Sequence, residues 1–202
     1  MRGNKREAIL DAAVKVFAKR GFYNTRVKDI ATEIDVAEGT LYKYFPTKND
    51  ILFSLFKEKW SELTSDLRRK IEPLDDANEK MMLILTTIVD VFKTNRDLAE
   101  LFLIEIKQSS AFLNSPVVES MVDFLDLLEE ILKEGIAKGV YRKDLDTKAA
   151  RMMIFGAAQG VLLGWILKET IPNRGKAFDY TIENAIKTIR DVFKSGITSE
   201  KK

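Results

Sequence analysis

The chain has 202 residues, a formal net charge of +2, and neither cysteine nor histidine. That composition excludes disulfides, cysteine nucleophiles, histidine-based triads and nearly every zinc site. Apolar residues make up 46%, enough to bury a real core. The charged N-terminus lacks an apolar run of signal-peptide type, so a cytoplasmic protein is expected.

The first helix is expected over 5–20, stopped by Gly21. A second over 27–34 places Val27, Ile30, Ala31 and Ile34 on one apolar face. Asp35 breaks that pattern and Val36 reads as a buried plug in a tight turn. A third helix over 38–44 sets Ala37, Leu41 and Phe45 on one side. Gly39 and Lys43 then point the other way, with Thr40 and Tyr42 on the flanks. Pro46 stops the chain. Thr47 caps a fourth helix over 48–70, with Asp50 in its first turn. This helix is the expected lever between two domains. A fifth helix is read over 76–94 and a sixth over 97–109. Ser115-Pro116 opens a seventh that ends near Gly139. Asp146 or Thr147 caps an eighth that runs to Lys168, and a ninth covers 177–194. No strand-like alternation interrupts these elements, so the fold class is all-α.

The second and third helices read as a helix-turn-helix whose outward chemistry suits DNA. A glycine at 39 lets backbone approach base edges. Thr40 offers a hydroxyl, and a methyl for thymine, while Glu38 can accept from a cytosine amine. The phenols of Tyr42 and Tyr44 suit phosphate oxygens, and Lys43 and Lys48 neutralise phosphates. Residues 1–48 carry 10 Lys and Arg against 6 Asp and Glu, whereas the remainder carries 23 against 25. The basic excess thus lies where DNA requires it. No Gly-x-Ser-x-Gly, Walker loop or dinucleotide fingerprint occurs. The acidic pairs Asp75-Asp76 and Glu129-Glu130 read as solvated helix faces. No enzyme activity, metal or cofactor is expected.

The run Gly39-Thr40-Leu41-Tyr42-Lys43-Tyr44-Phe45-Pro46-Thr47-Lys48 closely resembles the recognition helix of tetracycline-repressor (TetR) family regulators. So does its lead-in through Ile9, Ala12, Ala13, Phe17 and Gly21. The resemblance implies a nine-helix TetR-like architecture. Residues 1–47 would form the helix-turn-helix domain, and 48–202 a domain for ligand binding and dimerisation. It further implies a homodimeric repressor on a near-palindromic double-stranded operator, controlled by a small apolar effector. Carried over by position, Gly39, Thr40 and Tyr42 approach bases. Thr25, Tyr42, Tyr44 and Lys48 meet phosphates. Arg26 departs from the threonine common at its place and adds a phosphate or base contact.

The eighth helix is apolar nearly all round from Met152 to Leu167. Gly156, Gly160 and Gly164 recur along it every fourth residue. Each costs a helix roughly 1 kcal/mol relative to alanine, so a packing reason is implied. A membrane span competes, but the apolar run of 16 residues contains Gln159 and falls short of the ~20 needed. The ninth helix shows a stripe of Phe178, Ile182, Ala185, Ile186, Ile189 and Phe193. The two helices are expected to pair across a two-fold axis; the alternative is that both pack inside one monomer. A mostly apolar pocket is expected from Phe102, Met121, Phe124, Met152 and Phe155, with Glu105, Gln108 and Gln159 orienting a ligand. Residues 132–146 and 149–156 resemble fatty-acid-degradation repressors of the same family. This resemblance implies a long-chain acyl-coenzyme A (acyl-CoA) effector; the alternatives are other hydrophobic compounds, as in multidrug-efflux regulators, or a helical interaction module without DNA binding.

Overall fold

The computed structural model describes residues 2–105, 112, 115–170 and 175–197. Among these lie nine α-helices and no strand. Contacts divide the chain into two compact units, residues 1–62 with 95–121, and residues 63–94 with 122–202.

In the first unit, α1 (Arg2–Arg20) buries Ile9, Ala12, Ala13, Val16 and Phe17. It ends at Gly21, whose φ of 77° is the left-handed cap that glycine adopts without penalty. Then α2 (Val27–Glu33) starts where the Arg26 amide donates to the Asp29 carboxylate at 2.8 Å. Asp35 makes the turn itself with a φ of 51°. Only one turn of helix follows, α3 (Glu38–Tyr42), shorter than expected. Leu41 and Phe45 are buried as the wheel requires, but Ala37 is exposed because it is the flanking residue at the helix start. Thr47 and Asp50 cap the next helix, α4 (Lys48–Ile71), reciprocally: the Thr47 amide donates to the Asp50 carboxylate at 2.9 Å, and the Asp50 amide to the Thr47 hydroxyl at 3.2 Å.

The sixth helix departs from expectation. Asn95 caps α6 (Arg96–Glu100; α5, Ala77–Thr94, precedes it), and the chain then widens into a π-helix over Leu101–Glu105. The π-turn places Phe102 face to face with Trp60, ring centroids 4.8 Å apart, with Phe56 beside it at 5.5 Å. A large flat pair of this kind rewards the extra residue per turn. The rest of the helix expected to 109 lies outside the described residues.

The second unit holds α5, the greater part of α7 (Pro116–Ala137), α8 (Thr147–Thr170) and α9 (Ile182–Ile197). Asp146 caps α8, accepting from the amides of Lys148 and Ala149 at 3.0 Å each. The ninth helix starts five residues later than expected. Gly175–Phe178 forms a 3₁₀ turn, and Tyr180 tucks back so that its hydroxyl donates to the Val161 carbonyl at 2.6 Å. Thr181 then caps α9.

Glu129, 6% exposed, ties α7 to α8. It pairs with Lys133 and with Arg151, both at 2.8 Å, and accepts from the Thr147 hydroxyl at 3.1 Å. Lys133 first, then Thr147 and Arg151, hold its carboxyl below the usual 4.5. A depressed carboxylate contributes stability above its unfolded value and loses it as pH falls through the folded one. Glu129→Gln should therefore lower the melting temperature at pH 7 by about 3 °C. The gap from wild type should close as pH falls below 4.5 in a series of thermal melts.

Candidate nucleic-acid interface

All nine residues expected to meet DNA fall in the first unit. Their surroundings divide them into three kinds. Gly39, Glu38, Tyr42, Lys43 and Arg26 are exposed. A Cβ added at Gly39 would meet no atom of the chain within 4 Å. Glycine at that place therefore answers to no neighbour inside the fold, and it leaves the outer face of α3 open to an approaching surface. Tyr42 donates its hydroxyl to Glu38 at 3.3 Å one turn earlier, which sets the phenol along the helix. Partial desolvation and the Glu38 carboxylate raise its pKa, so the phenol stays a donor at neutral pH. Thr40 and Tyr44 are half-buried at the margins of the same face.

Thr25 and Lys48 are different. Thr25 is 2% exposed, and its hydroxyl donates inward to the Gly21 carbonyl at 2.8 Å. Its amide donates to the Phe22 carbonyl at 3.3 Å. Lys48 directs its ammonium to the carbonyls of Phe22 at 2.6 Å, Thr25 at 2.8 Å and Tyr23 at 3.4 Å. It also lies 4.4 Å from the Phe22 ring centroid. Its three donors are thereby directed at the turn between α1 and α2, and burial lowers its pKa. The family resemblance implies phosphate contacts for both, and the charge of Lys48 suits one. In the fold they tie the start of α4 to the turn that presents α2.

One contributor had no signal in the sequence. Arg6 of α1 pairs with Glu58 of α4 at 2.5 Å, and its guanidinium sits 5.1 Å from the centre of the Phe45 ring. It clamps the residue that anchors the C-terminal side of the recognition helix. Arg6 lies 39 residues before Phe45 and 52 before Glu58, so no local pattern reveals the clamp.

Residues 9–55 match the model of "Bacterial regulatory proteins, tetR family", and residues 56–184 match "YsiA-like protein, C-terminal region". The chain belongs to the TetR family. It is a DNA-binding transcriptional regulator. The fatty acid metabolism regulator protein of Bacillus subtilis is 35% identical over 161 residues, spanning 80% of this chain and 83% of that one. Among solved structures, the transcriptional regulator FadR from Bacillus subtilis in complex with stearoyl-CoA superposes with a TM-score of 0.85 and 32% identity, covering 95% of this chain and 98% of the other. The fatty acid degradation regulator FadR from Bacillus halodurans gives the same TM-score and identity, covering 95% of both.

The residues expected to line the effector pocket fall in both units of this TetR protein. Phe102 and Met121 belong to the first; Phe124, Met152, Phe155 and Gln159 belong to the second. Phe124 and Phe155 are buried with ring centroids 5.9 Å apart, and Gln159 is half-buried. Met152 stands 52% exposed on the outer face of α8. The side chain of Glu105 and all of Gln108 lie outside the described residues.

The expected dimer face also resolves into two groups. Gly156 and Gly160 are exposed, and a Cβ on either would meet nothing within 4 Å. Gly164 is buried, and a Cβ there would strike Tyr180 and Phe178 of its own chain. Ile182 is likewise interior at 4% exposure. Ala185, Ile186, Ile189 and Phe193 are half-buried. Between α8 and α9 runs an open apolar groove past Ala157, Gly160, Ala185 and Ile189, flanked by the exposed Met153 and Val192. By length and composition, Thr147–Lys168 would pass for a membrane span. Its apolar, glycine-marked outer face is equally what a helix-on-helix interface requires.

Proposed function

We propose that this regulator is a homodimeric repressor that long-chain acyl-CoA releases from its operator. The observation that carries the reading is the likeness, over nearly the whole chain, to a regulator holding stearoyl-CoA. The effector half of the chain is matched as well as the DNA-binding half. In this reading Phe124 and Phe155 of the second unit pack on the acyl chain and Gln159 orients it. Met152 is left out, because it faces outward. Binding re-angles α4, and the two recognition helices leave their spacing of about one helical turn of DNA, roughly 34–36 Å. A change of a few kcal/mol between the two states suffices for this switch.

Isothermal titration of palmitoyl-CoA into the DNA-free protein tests the effector. Saturable binding of one molecule per chain, with none for coenzyme A alone, supports it. Equal binding of coenzyme A and palmitoyl-CoA contradicts it.

The second copy covers the groove between α8 and α9, with Gly156 and Gly160 permitting close approach. Gly160→Trp should fold normally, since its own chain leaves the space empty, yet sediment as a monomer. A dimer unaffected by that indole would place the two-fold elsewhere.

A further inference from the structure

The second unit contains a cavity of about 200 Å³ that belongs neither to the recognition face nor to the proposed effector residues. It lies under α9, against α5. Met81, Met82 and Leu85 of α5 form one wall, Phe193 of α9 the other, and Tyr141 and Ile154 close the floor. At the mouth stand Arg190 and Lys194, one helical turn apart on α9 and both exposed, opposite Glu79 of α5; the Arg190 Nε donates to the Asp191 carboxylate at 3.0 Å. The cavity thus has an apolar interior and two cations at its entrance.

We infer that this cavity is a second ligand site that takes a medium-chain fatty carboxylate. Arg190, through its two terminal nitrogens, and Lys194 hold the head group, and the unbranched tail passes between the methionines and Phe193. The chemistry follows from three features. A void lined by apolar side chains forfeits their contacts when empty, and an alkyl chain restores them. Methionine and leucine adapt to a flexible, featureless tail better than to a rigid ring. A forked guanidinium and an ammonium at i and i+4 receive a carboxylate by charge-assisted hydrogen bonds. Glu79 on the far rim turns away a head that lies across the mouth and favours one placed on the α9 side. Size sets the chain length. A methylene occupies about the volume of a water molecule, roughly 30 Å³, so the space holds on the order of seven tail carbons of a medium-chain acid, and the carbons nearest the carboxylate lie at the mouth.

Arg190 and Lys194 lie on the side of α9 opposite Asn184, Ala185 and Thr188 of the groove to α8, whereas Phe193 and Ile197 line both the cavity and the far part of that groove. A second copy of the chain on that groove faces away from Arg190 and Lys194, so the head-group end of the site stays clear of it.

Calorimetry with decanoate tests the inference on the full-length protein pre-saturated with palmitoyl-CoA. Saturable binding of one decanoate per chain is expected, with decylamine bound at least tenfold more weakly. The double substitution Arg190→Glu with Lys194→Glu should weaken decanoate at least tenfold and narrow or reverse the preference over decylamine. Met82→Trp fills the cavity from a half-buried position and should abolish decanoate binding while keeping operator affinity and its response to palmitoyl-CoA. Absence of decanoate binding in the wild type overturns the proposal. So does decanoate binding that survives Met82→Trp. Loss of the palmitoyl-CoA response together with decanoate binding would make this the effector site and remove the second one. Should wild type ignore palmitoyl-CoA, the effector reading falls, and the decanoate arms still decide the cavity.

Discussion

Replacing Gly39 with leucine should leave the protein folded and abolish operator recognition. The space around the missing side chain is empty on the protein's side. Leucine also favours a helix over glycine by about 1 kcal/mol, so the melting temperature should hold or rise slightly. On DNA the consequence is opposite. Four carbons would stand between the backbone of α3 and the base edges, separating Thr40 and Tyr42 from the groove floor. Operator affinity should fall by at least a hundredfold, about 2.7 kcal/mol. Thermal melts beside fluorescence anisotropy on an operator duplex separate the two effects. A parallel loss of stability and binding would place the function of Gly39 inside the fold.

Lys48→Met should weaken operator binding by ten- to a hundredfold without altering its salt dependence. The ammonium is committed to three carbonyls of the turn between α1 and α2 and is seated over Phe22. Methionine keeps the stem but leaves those carbonyls without their donor, at a cost of about 2–3 kcal/mol to this corner. The turn then loosens, and α2 and α3 lose their setting against α4. A lysine that neutralised a phosphate would contribute about 0.9 to the salt slope of each subunit. A positioning lysine contributes little. Lys48→Arg should rescue only in part, because a planar guanidinium cannot gather three carbonyls as an ammonium does. Affinity measured at several salt concentrations decides the matter. A slope lowered by about one per subunit, with unchanged stability, would return Lys48 to the phosphate backbone.

Much of this molecule is legible from local pattern. Helix starts at Thr47, Asp146 and Ser115-Pro116 depend on residues within one turn of each other, so reading along the chain finds them. The outer face of α3 is similarly local: Gly39, Tyr42 and Lys43 are exposed as the helical wheel requires. What could not be read depends on residues far apart in sequence. The direction of the Lys48 ammonium depends on a turn more than twenty residues earlier. The clamp of Arg6 on Phe45 and Glu58 joins α1 and α4 to the turn after α3. Gly164 looks identical to Gly156 and Gly160 on a helical wheel. Its reason is Tyr180, which folds back onto α8 through a 3₁₀ turn that composition does not announce. The π-helix is equally silent, since the Trp60–Phe102 stack that accompanies it couples two distant segments. Met152 shows the opposite failure. Its chemistry suits a pocket, but the helix phase turns it outward.

The central claim is that an acyl-CoA thioester and operator DNA compete for this regulator through its two conformations. The most direct measurement is a titration of the protein on the DNA upstream of its own gene, at one fixed salt concentration, with and without palmitoyl-CoA. Tight, sequence-selective binding that palmitoyl-CoA weakens at least tenfold is the predicted result. Tight binding that is indifferent to palmitoyl-CoA would contradict the account and leave a regulator that answers to another ligand.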